Sequence, residues 1–196
     1  MTRTETTSAP PTDGAVVAAL ADDLDAGFVE LFNAHRQAVF STALRVCGRW
    51  AEAQDLTAET FLRAYRALTD YDTDRITALR PRPWLLTITL NLWRNAARDA
   101  SRRPATTELD DAPEPIDVHV DVEGSVLRGE TARELSDLLG LLPEEQRIAV
   151  VLRHVVDLPV AEIAHVLGRP EGTVKSHISR GLRRLRELRP APGGPR

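Results

Sequence analysis

An acidic, base-free stretch near the middle of the chain, residues 104–125, divides the sequence into two parts. It contains seven carboxylates and three prolines and has no lysine or arginine. Such a segment has too little apolar surface to fold, and its like charges repel one another, so we predict a flexible acidic linker. The parts on either side, residues 25–103 and 126–190, are then expected to fold as two small domains, which we call the N-terminal and C-terminal modules.

The distribution of charge changes what the net charge implies. A formal charge of −4 would by itself argue against a nucleic-acid-binding protein, because affinity for phosphate comes largely from clustered lysine and arginine. The negative charge, however, is concentrated in the linker and in residues 1–24, where one arginine faces four acids. Residues 75–103 hold seven arginines against one acid, and residues 169–189 hold seven bases against two acids. Each module therefore carries a strongly basic segment.

Several classes of protein are excluded by simpler features. No apolar run approaches the ~18 residues of a membrane span, and the N-terminus lacks a signal-peptide core, so a cytoplasmic location is expected. Cys47 is the single cysteine, and the five histidines have no zinc-site spacing, so no disulfide, metal or other cofactor is predicted. Residues 1–24 are rich in Thr, Ala, Pro and Asp, and we predict a disordered leader there; residues 191–196 form a short tail.

Helical periodicity dominates the N-terminal module. Apolar residues follow one stripe over Leu24–Cys47, ending at Gly48, and a second helix is predicted over Trp50–Leu68. Residues 69–82 are rich in turn formers, and Pro83 suits the first position of a third helix that runs through Ala96. The N-terminal module is therefore predicted to be all-α.

The C-terminal module is predicted to be a four-helix bundle. Its first two helices are expected over Val126–Leu139 and from Pro143 onward. The next, Val160–Leu167, is broken at Gly168 and followed by a basic helix over Gly172–Leu188, which is the order of a helix-turn-helix. The fold class is thus all-α, with two small helical domains joined by a flexible linker.

The basic helix of this helix-turn-helix is amphipathic. Val174, Ile178 and Leu182 form its inward stripe. The outward face offers hydroxyl and cationic groups suited to base edges and phosphates in a major groove. These candidate residues are Thr173, Lys175, Ser176, Ser179, Arg180 and Arg183. The alternative is a solvated arginine-rich helix, since Lys175 is the only lysine and arginine is the general base of this chain.

The end of the N-terminal module carries a second candidate site. Trp84 and Trp93 are nine residues apart, or 2.5 helical turns, so they cannot share one helix face. An exposed indole at Trp93 beside Asn91, Arg94 and Arg98 would suit a strand of unpaired bases, because rings stack while arginines hold the backbone. The alternative is that both tryptophans are core residues.

A third candidate segment lies on the second helix, where Asp55 and Glu59 share an outward face. Spacing alone fits a solvated surface or a docking patch for a basic partner. No Ser/His/Asp, Cys/His or Gly-rich phosphate motif is visible in the sequence, so no enzymatic activity is predicted. A small enzyme with an unrecognised site stays an alternative.

These three segments, in this order, resemble the extracytoplasmic-function (group 4) sigma factors of bacterial RNA polymerase. The resemblance covers roughly Asp25–Arg189 and rests on DLTAETFLRAYRAL, PRPWLLTITLNLWRNAARD and LPEEQRIAVVLRHVVDLPVAEIAHVLGRPEGTVKSHISRGLRRLR. It implies that residues 25–103 are a sigma region 2 domain, which binds core polymerase and the −10 element. It implies equally that residues 126–190 are a sigma region 4 domain, which binds the −35 element.

The same resemblance assigns roles to the candidate residues. Contact with the polymerase clamp is implied for Asp55, Glu59, Phe61 and Arg63. Contact with the −10 strand is implied for Asn91, Trp93, Arg94 and Arg98, and reading of the −35 groove is implied for the outward residues of the basic helix. The expected function is promoter-specific transcription initiation without catalysis, with core RNA polymerase, promoter DNA and an anti-sigma factor as partners. In the competing interpretation, residues 25–103 are a sensor or dimerisation domain of an ordinary DNA-binding regulator.

Overall fold

A computed structural model of the chain describes residues 12–102 and 135–188. The predicted linker at 104–125, the tail at 191–196 and residues 126–134 of the predicted first C-terminal helix lie outside these ranges. Within them, every regular element is an α-helix, which confirms the predicted fold class. None of the helices in this part of the chain is both long and apolar enough to cross a membrane.

Five helices build the described part of the N-terminal module: α1 (Asp13–Asp22), α2 (Leu24–Cys47), α3 (Trp50–Thr69), α4 (Thr73–Thr77) and α5 (Pro81–Arg102). The predictions for α2 and α3 are confirmed to within one residue. Gly48 ends α2 in the left-handed conformation, with φ 79°, as its position after the last apolar residue indicated. The turn-rich segment contains the single-turn helix α4, and α5 begins two residues before the predicted Pro83.

The prediction of a disordered leader is wrong for residues 12–24. Thr12 caps α1 by accepting a hydrogen bond from the Ala15 N–H, and the helix packs on α2. Val16 and Leu20 are buried in an apolar cluster that also contains Leu31 and Leu85. The N-terminal module therefore extends at least to residue 12. The first eleven residues of the predicted leader lie outside the described ranges.

The C-terminal module contains α6 (residues 135–140), α7 (Glu144–His154), α8 (Val160–Leu167) and α9 (Glu171–Leu188). Gly168 ends α8 with φ 60° and opens the tight turn into α9, as predicted for the helix-turn-helix. A Cβ on Gly181 would lie 2.7 Å from Val150 Cγ2, so this glycine lets α9 lie directly against α7. The supporting helix α7 thus fixes the orientation of α9.

The two modules pack against each other, which the sequence did not indicate. One apolar cluster runs from Leu86, Leu90 and Trp93 on α5 to Ile148 and Leu152 on α7, and continues to α8 and α9. Helix α5 has a second apolar face because its buried residues fall on both sides of the helix. One face closes the N-terminal module and the other is covered by the C-terminal module.

Candidate nucleic-acid interfaces

The outward face of α9 is open to solvent. Val174 is fully buried beneath the helix, and five of the six predicted residues are exposed: Lys175, Ser176, Ser179, Arg180 and Arg183. The sixth, Thr173, is half-buried at the start of the helix. Lys175 Nζ lies 3.5 Å from Glu171 Oε2, an exposed pair that phosphate can displace at little cost. The geometry therefore presents hydroxyl groups and cations on one convex helical surface.

Trp93 is not on the surface in this arrangement. Its side chain is 8% exposed and lies between the two modules, with the Arg147 guanidinium 5.4 Å from the ring centroid. The expectation of an exposed indole is therefore wrong for this arrangement, and the core alternative describes it. Trp84 packs in a different apolar cluster beside Tyr71, so the two tryptophans do occupy different faces of α5.

The polar residues around Trp93 differ in accessibility. Asn91 and Arg98 are exposed, and Arg98 Nε donates to the Arg94 backbone carbonyl at 3.3 Å. The Arg94 side chain is only 22% exposed, because its Nε lies 3.3 Å from Glu144 Oε1 and its terminal nitrogen lies 4.0 Å from Glu145. The four predicted residues therefore lie together along α5. The C-terminal module covers Trp93 and Arg94 and leaves Asn91 and Arg98 exposed.

The start of α5 is held by the same module. Arg80 pairs with Glu162 of α8 at 3.1 Å, and Arg82 donates a hydrogen bond to the Val156 backbone carbonyl. Three carboxylates that the sequence-based reasoning did not single out therefore face α5: Glu144, Glu145 and Glu162. The signal available in the sequence was their position on two successive predicted helices, but nothing in that pattern indicated which surface they would face.

A buried histidine lies at the junction of α1, α2, α5 and the end of α7. His35 Nε2 is 3.4 Å from Asp13 Oδ1, and Arg82 and Val156 line the same cavity. Burial lowers the pKa of His35; the positive charge of Arg82 acts in the same direction, and the Asp13 carboxylate opposes both. The net result is a pKa of His35 below its ordinary value.

The predicted polymerase-facing residues lie on α3. Asp55 is exposed, and Glu59 accepts from Arg63 Nε at 2.6 Å on the same face. The expectation that Phe61 contacts the polymerase directly is not met in this structure. Its side chain is buried and packs edge-on against Phe32, with ring centroids 4.8 Å apart. It can support a surface contact but cannot make one directly.

Exposed apolar residues of α2 and α3 were missed by the sequence-based reasoning. Val29 and Phe32 on α2 and Leu62 on α3 are all exposed. We call these three residues, together with Asp55, Glu59 and Arg63 of α3, the α2–α3 patch. A cluster of apolar side chains with a charged rim is typical of a protein-binding surface.

Comparison with known proteins identifies both modules. The Sigma-70 region 2 family matches residues 31–103, and the Sigma-70, region 4 family matches residues 132–185. The match to region 2 begins inside α2, so α1 lies outside it.

Individual relatives agree with these matches. The chain is 33% identical over 162 residues to the ECF RNA polymerase sigma factor SigE of Mycolicibacterium smegmatis, covering 81% of this chain and 60% of that protein. It is 32% identical over 167 residues to the RNA polymerase sigma factor CarQ of Myxococcus xanthus, covering 85% of this chain and 91% of that protein. The chain thus spans 60% of SigE, which is less than two thirds, but 91% of CarQ.

The fold agrees with a solved structure as well. CnrH, solved in complex with the cytosolic domain of CnrY, is similar with a TM-score of 0.63 and 26% identity, covering 90% of this chain and 96% of CnrH. Regions 2 and 4 lie in the predicted order on two helical modules, and a named sigma factor aligns over nearly its whole length. The chain therefore belongs to the extracytoplasmic-function group of RNA polymerase sigma factors.

Proposed function

We propose that this protein binds core RNA polymerase and directs promoter-specific transcription initiation by recognising −10 and −35 elements. The observation that carries the proposal is the exposed face of α9, which presents cations and hydroxyl groups on the second helix of a helix-turn-helix. Residues 25–103 act as the polymerase-binding and −10 module, and residues 126–190 act as the −35 module. The protein acts in the cytoplasm and has no catalytic role of its own.

The −35 element is read by α9 lying in the major groove. The Arg180 guanidinium offers two parallel donors to a guanine edge, and the Ser176 and Ser179 hydroxyl groups donate to or accept from neighbouring bases. Lys175 and Arg183 contact the flanking phosphates, and Thr173 lies where the helix N-terminus meets the backbone of the duplex. Because Gly181 lets α9 lie against α7, the reading helix is held by a rigid neighbour.

The −10 element is held along α5 as an unpaired strand. Asn91 and Arg98 are already exposed, and Trp93 and Arg94 complete the surface with a stacking ring and a cation only when the C-terminal module no longer covers them. An aromatic ring and nearby arginines suit single-stranded DNA because bases stack on the ring while the phosphates are neutralised.

The polymerase is bound through the α2–α3 patch. Its apolar centre at Val29, Phe32 and Leu62 is flanked by Asp55 and by the Glu59–Arg63 pair. Burial of the apolar centre provides the affinity, and the surrounding charges select the orientation and the partner. Phe61 stabilises this surface from beneath by packing on Phe32.

An anti-sigma factor holds the protein inactive until it is needed. The support for this partner is that the similar protein CnrH is solved in complex with the cytosolic domain of CnrY. The exposed apolar side chains of the α2–α3 patch provide a surface that such a partner can cover.

Transcription in vitro with purified core polymerase tests the function. The chain is expected to support initiation from specific promoters of its own genome, and initiation at none of them would favour the ordinary-regulator interpretation instead. Within that assay, Arg180→Ala is expected to weaken promoter binding roughly 5- to 150-fold, the range for losing one bidentate base contact.

Arg49→Ala is the matched control for this substitution. Arg49 is exposed in the loop between α2 and α3, so the control removes the same charge away from α9 and from the α2–α3 patch. If promoter occupancy falls equally for both variants, the loss comes from the change in net charge. If occupancy is unchanged for Arg180→Ala, Arg180 does not contact the −35 element.

A further inference from the structure

Arg94, on the surface that we assign to −10 DNA, and Arg80, directly before α5, already have anionic partners within the chain. Arg94 lies 3.3 Å from Glu144 of α7 and 4.0 Å from Glu145, which also pairs with Arg169 at 3.5 Å, and Arg80 lies against Glu162 of α8. These carboxylates lie at distances of 3.1–4.0 Å from the guanidinium nitrogens, close enough to form ion pairs. Phosphate groups of a bound strand would compete for the same donors.

The aromatic part of the same surface is covered as well. Trp93 is 8% exposed and shares an apolar cluster with Ile148 and Leu152 of α7. The guanidinium of Arg147 lies 5.4 Å from the Trp93 ring centroid. A base that stacks on this indole needs an open ring face, which the packed C-terminal module does not leave.

The other DNA-facing surface is not covered in the described residues. Lys175, Ser179 and Arg180 on α9 are exposed, and α9 contacts the rest of the molecule through its opposite face. The packing of the modules is therefore selective, since it closes the α5 surface and leaves the α9 surface accessible.

We propose that the α7–α8 surface of the C-terminal module is an autoinhibitory occupant of the −10 surface, with Glu144, Glu145 and Glu162 in the places of DNA phosphates. The inference rests on the proposed function of α5 as the −10 surface. In the closed arrangement the protein can read a −35 duplex but cannot hold a −10 strand. Separation of the modules exposes Trp93 and frees Arg80 and Arg94 for DNA.

The two kinds of contact have different roles. The apolar cluster is buried and provides most of the affinity between the modules, whereas the ion pairs are partly exposed and each contributes little to it. The ion pairs nevertheless compete directly with DNA, because they occupy the guanidinium groups of Arg80 and Arg94 that would bind its phosphates. Removing the Glu144 and Glu145 charges should therefore raise the open fraction and tighten binding of single strands by roughly 3- to 10-fold.

The test measures binding of a short, fluorescently labelled single-stranded DNA of mixed sequence to the full chain by anisotropy at low salt. The variant is Glu144→Gln with Glu145→Gln, and the matched control is Glu30→Gln with Glu52→Gln. Glu30 is exposed on α2, and Glu52 pairs with Arg49 on α3, so the control makes the same change in net charge away from the interface. The expected result is a 3- to 10-fold tighter complex for the first pair and less than a twofold change for the control.

Equal affinities for the two double variants would overturn the proposal, because the gain would then come from net charge alone. Glu162→Gln is an independent variant that acts through Arg80 on α8's side of the interface, and it should tighten binding in the same direction. Should the α7 variant fail to fold, the result for Glu162→Gln against Glu52→Gln alone decides the outcome. Initiation by the wild-type chain with core polymerase is measured in parallel, so that failure of the proposed function is seen separately from failure of the autoinhibitory contact.

Discussion

Replacing Leu20 with alanine tests whether α1 is part of the folded protein. The Leu20 side chain is 2% exposed and packs with Leu31, Leu68 and Leu85. Truncating a buried leucine loses the transfer free energy of three carbons and leaves a cavity, which costs about 2–5 kcal/mol. In a chain of this size each kcal/mol corresponds to roughly 2–4 °C in melting temperature, so a loss of ~3 kcal/mol lowers it by about 6–12 °C.

Urea unfolding followed by circular dichroism measures this loss. The matched control is Leu62→Ala on α3. The Leu62 side chain is 45% exposed, so its truncation should lower the free energy of unfolding by well under ~1 kcal/mol. Leu20→Ala is expected to lower the midpoint clearly while Leu62→Ala leaves it nearly unchanged. Equal midpoints for the two variants would mean that residues 13–22 contribute nothing to the core, and the original expectation of a disordered leader would be restored.

Two further predictions follow from close packing and from burial. Gly181→Ala places a Cβ 2.7 Å from Val150 Cγ2 and should cost about 1–3 kcal/mol, whereas Gly172→Ala, in open space on the same helix, should cost nothing measurable; thermal melts compare the two. Adding Val150→Ala to Gly181→Ala should show favourable coupling, and simple additivity would contradict the steric explanation. Because burial lowers the pKa of His35, the unfolded chain takes up a proton that the folded chain resists, so stability falls as the pH drops below about 6.5. The melting temperature should therefore fall more steeply between about pH 7.5 and 5.5 for the wild type than for His35→Gln, and parallel profiles would contradict this role.

The sequence predicted best those helices whose packing is visible in their own periodicity. Helices α2, α3, α8 and α9 each have an apolar stripe of several residues, and Gly48 and Gly168 follow α2 and α8. Helix α1 was missed because its buried residues are only Val16 and Leu20, one turn apart, within a segment of small and acidic residues. Its stability comes from α2, to which it docks, and that contact has no local signature.

The site residues on α9 and α5 differ in predictability for a related reason. Whether Arg180 is exposed depends on the amphipathic pattern of its own helix, which is local. Whether Arg94 is accessible depends on Glu144, 50 residues away in the sequence. Local pattern cannot indicate a contact of that kind, because it is determined by how two modules pack.

The total charge of the C-terminal module hides an arrangement with two faces. Glu144, Glu145 and Glu162 face α5, while Lys175, Arg180 and Arg183 lie on the exposed side of α9, so these carboxylates and these cations lie on different sides of the module. A sum over the module combines these residues into a small positive number and indicates only that the module favours nucleic acid. The three carboxylates have a further consequence, because their negative charges repel a nucleic-acid strand that approaches α5. The same carboxylates pair with Arg80 and Arg94, so DNA that approaches α5 must displace the ion pairs that help to close the protein.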